Sequence, residues 1–174
     1  MTSAKILKKK DHKFIIRNGT IDDIEAVHGL VKELAIYEES EHEVDVTSEE
    51  MKEFGFGSNP LFEMIVVENE ETEIVGTAIY YIGYSTWKGA FFYLEDLIVT
   101  ERYRRYGLGK ELLDSLILIA KEKKAFRMGW QVLDWNTSAI EFYKAIGASL
   151  FPEWINCRLT KEQIKNYQPG DLMK

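Results

Sequence analysis

The chain has 174 residues, and an apolar fraction of 45% with only three prolines suits one globular domain with a sizeable core and excludes wholesale disorder and low-complexity classes. Twenty-two basic against twenty-nine acidic residues leave a net charge of −7, which speaks against nucleic acid as a partner because phosphate binding needs a positive surface. The lone Cys157 excludes an intramolecular disulfide framework and a cysteine-rich zinc site, and His12, His28 and His42 lack ligand spacing, so no metal is predicted.

Residues 1–13 carry Lys5, Lys8, Lys9, Lys10 and Lys13 and read as a flexible basic tail. No apolar stretch follows these lysines and no run in the chain is long enough to cross a bilayer. The expected address is therefore the cytoplasm, without a membrane partner. A single domain is expected over residues 14–174. Residues 14–17 (Phe-Ile-Ile-Arg) alternate as a first strand. Thr20 with Asp23 resembles a capping box, and Ile21, Ile24, Val27, Leu30, Val31 and Leu34 follow with the period of an amphipathic helix. Thr47 opens a second, shorter helix that ends near Gly57. Strands are predicted over 62–68, 74–82 and 90–99, all rich in Val, Ile, Phe and Tyr. A strong helix follows with Leu112, Leu113, Leu116, Ile119 and Ala120 on one face. A fifth strand is expected over 127–133, a short helix over 138–146 closed by Gly147, and a last strand near 156–159. The order β-α-α-β-β-β-α-β-α-β predicts an α/β chain built on a mixed sheet with helices on both sides.

Three features carry chemistry. The first is the run Arg104, Arg105, Tyr106, Gly107, Leu108, Gly109 between a strand and a helix. Glycines let a ligand approach the backbone, and the unpaired N–H groups at the helix start suit a pyrophosphate. The run is neither a Rossmann fingerprint nor a P-loop, and by itself it serves equally as a helix N-terminal turn. The second is Glu95 and Asp96 inside an apolar strand. Strict alternation sends Glu95 to the face of Tyr93, Leu97 and Val99, and Asp96 to that of Leu94 and Ile98. Such acids are either structural partners or functional groups. The third is Asn136, at a natural capping site, followed by Phe142, Tyr143 and Lys144. Tyr143 alone reads as a core aromatic.

Together these runs resemble the GNAT N-acetyltransferase superfamily, from about Phe14 onward, and within it the diamine acetyltransferase group. The similarity extends to residues 32–38, to Gly55-Phe56-Gly57 with Asn59-Pro60, and to Gly147-Ala148. Residues 84–89 and 132–136 are similar to the thialysine branch, whereas Tyr37-Glu38 resembles the polyamine branch, so the preferred amine stays open. The resemblance implies a GNAT-like acyl-CoA N-acyltransferase fold and acetyl transfer from acetyl-CoA to a small cationic amine, in a homodimer. It implies that main-chain groups of Leu97, Ile98 and Val99, the loop from Arg104 and Arg105 to Lys110, Asn136 and Tyr143 hold acetyl-CoA. Glu95 is the implied base, acting through water. By the same resemblance Tyr143 is the implied partner of the departing thiolate, and Tyr37, Glu38 and Glu95 are the implied lining of the amine site. Glu38, Glu39, Glu41, Glu43 and Asp45 read either as a solvated helix end or as a rim that steers a polycation inward. Ile155 falls where the family uses an acid, with Glu153 only nearby. Two rival activities remain: the same chemistry on a protein lysine or N-terminus, and a non-catalytic acyl-CoA-binding module. The latter has no need of Glu95 and Tyr143 together.

Overall fold

A computed structural model describes residues 4–170. The chain divides into two compact units, one up to Gln131 and one from Val132. The first unit is built on a six-stranded sheet in the order β1-β2-β3-β4-β5-β6. Its strands are β1 (Lys5–Lys9), β2 (His12–Asn18), β3 (Glu63–Glu68), β4 (Ile74–Ser85), β5 (Gly89–Val99) and β6 (Met128–Gly129). All neighbours are antiparallel except β5 and β6, which makes the sheet mixed, as predicted. The helices of this unit are α1 (Ile24–Tyr37), α2 (Ser48–Phe56) and α3 (Leu108–Glu122).

Alternation along the central strands distributes the helices. Met64, Val66 and Ile79 pack with Ile24 and Val27 of α1 and Met51 of α2. Residues of the opposite parity, Ile65 and Val67 beside Ala78 and Gly76, face the other way. A Cβ at Gly76 would lie 3.6 Å from Leu112 of α3. Both faces of the sheet are thus covered, and Leu112, Leu113 and Leu116 are fully buried. The Thr20–Asp23 signal works as expected: the Asp23 carboxylate accepts from the Thr20 amide at 2.7 Å. The same carboxylate takes a bidentate contact from Arg17 at 2.7 and 2.8 Å, and Arg17 also reaches Glu68 at 2.7 Å. One ion network therefore ties β2, the start of α1 and β3.

The tail expectation is corrected at Lys5–Lys9, which form an edge strand. Leu7 is buried, and Lys5 and Lys9 both reach Glu111 of α3, so a lysine-rich segment gains a ladder, an apolar anchor and a counter-charge. The fifth strand is far shorter than predicted, Met128–Gly129 in place of 127–133.

The second unit contains α4 (Thr137–Ala145) and α5 (Lys161–Asn166). The predicted strand over 156–159 does not form; those residues are exposed, and Asn156, Cys157, Arg158 and Leu159 include none of the β-branched or aromatic side chains that favour strands. The unpredicted α5 starts at a capping box, where Thr160 accepts from Gln163 and donates its amide to the Gln163 side chain. Among the described residues no helix is long and apolar enough to cross a membrane.

Candidate active site

Strand β5 breaks its own alternation at the two acids. Ile79 pairs with Asp96 and the next residue of β4, Tyr80, pairs with Leu94, so Glu95 is the extra residue of a β-bulge. The strict alternation expected from the sequence is corrected at this point. Glu95 is exposed and Asp96 is half-buried.

Charge converges around the bulge. Burial, followed by repulsion from Glu95 and Glu38, pushes the Asp96 carboxyl up to about 6. Burial also raises Glu38, which caps the C-terminal end of α1. Burial and then the Glu95 charge raise the Tyr81 phenol. The Tyr81 ring stacks on its cross-strand partner Tyr93, centroids 5.1 Å apart. Burial and Glu95 raise Tyr93 as well. Both phenols therefore keep their protons, and the Glu38 and Glu95 charges act on Asp96 at the β5 bulge.

The end of β5 leads into the glycine loop. β6 pairs with β5 only at Phe92–Met128 and Tyr93–Gly129, so its ladder stops before Leu97, Ile98 and Val99. The Val99 carbonyl accepts from Arg104 Nε at 3.2 Å. The Arg104 guanidinium lies 3.8 Å from Glu33 and over the Tyr37 ring. Tyr37, at the end of α1, is thereby linked to the first residue of the loop. Arg105 and Lys110 are exposed, and Lys110 pairs with Asp114 at 2.6 Å.

Gly107, at φ +76°, is the N-terminal cap of α3, a conformation L-residues rarely adopt. As the N-cap residue, Gly107 has no side chain to cap the first N–H groups of α3. A Cβ at Gly109 would meet nothing within 4 Å, and one at Gly107 only the Lys9 ammonium at 3.9 Å. Packing inside the protein does not demand these glycines. They leave open a cradle in front of α3, which fits a pyrophosphate lying against main chain.

Asn136 and Tyr143 lie in the second unit. The Asn136 side chain caps α4, its oxygen accepting from the Ala139 amide at 3.2 Å. Tyr143 is half-buried on the same helix, with its ring 5.3 Å from that of Phe142. Among the described residues no cluster of three His, Cys, Asp or Glu side chains could hold a metal.

A sequence-family model described as "Acetyltransferase (GNAT) family" matches residues 25–148. The chain belongs to the GNAT acetyltransferase family. It is an N-acetyltransferase, and the match spans the bulge, the glycine loop and Tyr143. It is 32% identical over 160 residues to thialysine N-epsilon-acetyltransferase of Mus musculus, covering 86% of this chain and 94% of that protein. It is 33% identical over 160 residues to spermidine/spermine N(1)-acetyltransferase-like protein 1 of Homo sapiens, covering 87% of this chain and 23% of that longer protein. A solved aminoglycoside N-acetyltransferase in complex with CoA has the same fold. Its TM-score is 0.69 at 18% identity, over 88% of this chain and 99% of that one.

Sequence reasoning located the acids and the loop of this GNAT member but missed three things. Asp96, taken above as a face-alternating neighbour, has its carboxyl raised by burial and by the Glu95 and Glu38 charges. The Tyr81 phenol is raised by burial and by the Glu95 charge. Lys9, assigned to the tail, stands beside Gly107. The first left a signal, two adjacent acids in an apolar strand; the other two depend on cross-strand and long-range contacts.

Proposed function

We propose that this chain transfers the acetyl group of acetyl-CoA to a primary amine of a small di- or polyamine, or of a lysine analogue such as thialysine, as one acetyltransferase domain over residues 14–174. The observation that carries this reading is the group of Glu38, Glu95 and Asp96 around the β5 bulge, where the Glu95 and Glu38 charges raise the Asp96 carboxyl. Three neighbouring carboxyl groups attract a compact polycation and repel anionic substrates. The names of the two relatives, one for thialysine and one for spermidine and spermine, support the substrate class.

Acetyl-CoA, held on the glycine loop, supplies an activated acyl thioester. The N–H groups at the start of α3 and the Arg105 and Lys110 side chains bind its pyrophosphate, while main-chain groups of Leu97–Val99 orient its pantetheine arm. Asn136 holds the cofactor further along. The substrate enters as an ammonium ion, which has a pKa near 10.4, so only on the order of one molecule in a thousand is a nucleophile at neutral pH. Carboxylates bind the cation and stabilise its charge, so the proton must leave after positioning. Glu95 accepts it through a water. Asp96, which titrates near neutrality, is a second acceptor for the same proton. Tyr143 donates a hydrogen bond to the departing thiolate. A phenol near 10 opposite a thiol near 8.5 stabilises that charge more readily than it protonates it.

The exposed Cys157 is consistent with a reducing compartment, and we assign the protein to the cytoplasm. Tyr84 and Trp87, 77% and 84% exposed on the β4–β5 hairpin, give a homodimer an apolar surface to cover. The test of the main reading is competition between putrescine, spermidine, spermine, thialysine and lysine for labelled acetyl-CoA, scored as kcat/KM. Turnover of at least one of them well above that of lysine-containing peptides is expected. Preference for the peptides would overturn the small-amine assignment.

A further inference from the structure

We propose that the β1–β2 hairpin is a phosphate-binding arm of this enzyme, in which Lys9 and Lys10 contact the phosphates of the nucleotide end of acetyl-CoA. This rests on the cofactor assignment made above and adds residues that lie outside the glycine loop.

The hairpin runs in register from Lys5↔Ile16 to Lys9↔His12, with Lys10 and Asp11 at its turn. Buried Leu7 anchors it to the unit. The turn delivers both lysines to the loop in front of α3. The Lys9 ammonium is 3.9 Å from the position a Gly107 Cβ would take. The Lys10 ammonium lies 4.4 Å from the centroid of the Tyr106 ring, and His12 meets the same ring edge-on at 5.6 Å. Lys10 holds this place at φ +55°, where glycine or asparagine would turn the chain with less strain.

Charge explains why lysines are needed there. Glu111 sits in the first turn of α3 and would repel an anion bound at the helix start. Lys5 and Lys9 bind its carboxylate at 2.7 and 2.6 Å and hold it below the usual carboxylate range. Two ammonium groups on one carboxylate leave a cation in excess, and Lys10 adds another. In a chain of net charge −7 this is a local reversal of sign, placed next to the cradle formed by Gly107 and Gly109.

The experiment is calorimetric titration of the full chain with CoA and with 3′-dephospho-CoA, for the wild type and for Lys9→Gln, Lys10→Gln and Lys8→Gln. Melting curves without ligand verify folding. Lys10→Gln leaves the Glu111 pairs intact, so it reports the arm even if Lys9→Gln fails to fold. Lys10→Gln is expected to weaken CoA on the order of 10-fold, by loss of a charge-assisted contact. The deficit should shrink as salt rises. Lys8→Gln, an exposed change elsewhere on β1, should bind as the wild type does. A deficit confined to CoA assigns the arm to the 3′-phosphate, and an equal deficit for both ligands assigns it to the pyrophosphate. Unchanged CoA affinity in Lys10→Gln, or an equal loss in Lys8→Gln, overturns the arm while leaving the cofactor assignment standing. A wild type that binds neither ligand overturns the cofactor assignment itself, and the arm with it.

Discussion

The Arg104 guanidinium carbon lies 5.1 Å from the centroid of the Tyr37 ring. This contact joins the last turn of α1 to the first residue of the glycine loop, and the Arg104 Nε–H to Val99 carbonyl bond joins that loop to β5. The three segments of the site in the first unit therefore meet at one side chain. A cation–π contact at an exposed position contributes about 0.5–1 kcal/mol. In a double-mutant cycle of Arg104→Gln and Tyr37→Leu, urea unfolding should show a coupling energy of that size. Strict additivity would show that the two side chains are neighbours without being energetically linked.

Asp96 makes stability depend on pH with a definite sign. Its folded carboxyl titrates at about 6 against an ordinary value of 3.8. Below 3.8 it is protonated in both folded and unfolded chains; between the two values only the folded chain retains the proton. The contribution to stability is thus complete in acid and is lost as pH rises through 6. Asp96→Asn stays uncharged throughout, so its stability relative to the wild type should rise by up to about 3 kcal/mol between pH 4 and pH 7.5. Denaturant unfolding across that range measures it, and a flat difference would mean that Asp96 ionises as it does in the unfolded chain.

Gly109→Ala separates folding from cofactor binding. The added methyl meets no protein atom within 4 Å and sits in the first turn of α3. Helix propensity then predicts an unchanged or slightly raised melting temperature without ligand, by at most about 1 kcal/mol. With acetyl-CoA at 100-fold its Kd, the wild type gains about 2.7 kcal/mol; the variant should lose most of that gain because the methyl fills the cradle. Gly107→Val should lose on both counts, since its backbone is at φ +76°. A full acetyl-CoA shift in Gly109→Ala would remove this loop from the cofactor site.

Tyr143→Phe removes one oxygen and keeps the ring. If the phenol serves the leaving thiolate, kcat falls on the order of 10²–10⁴-fold with acetyl-CoA affinity nearly unchanged. Glu95→Gln should lower kcat/KM most at low pH and recover as pH approaches the amine pKa, where the substrate arrives deprotonated. Near-normal kcat in the first variant would return Tyr143 to a packing role. A pH-independent loss in the second would make Glu95 a binder of the cation that never takes its proton.

Features governed by neighbours in sequence were legible before any coordinates. Thr20 with Asp23 and Thr47 with Glu50 mark helix starts through contacts three residues apart, and the apolar stripe of α3 follows from a 3.6-residue period. The run from Arg104 to Gly109 marks the loop because glycine's backbone freedom is a local property. Tertiary structure alone decided the rest. The bulge at Glu95 arises from the register of β5 against β4, which no alternation within β5 reveals. Lys5–Lys9 become a strand because β2 offers a ladder and Glu111, more than a hundred residues away, offers a counter-charge. Residues 156–159 form no strand, because a strand exists only where another strand accepts its hydrogen bonds. The titration of Asp96 was hidden for the same reason: it depends on burial and on Glu38, brought to it from the far end of α1 by the fold.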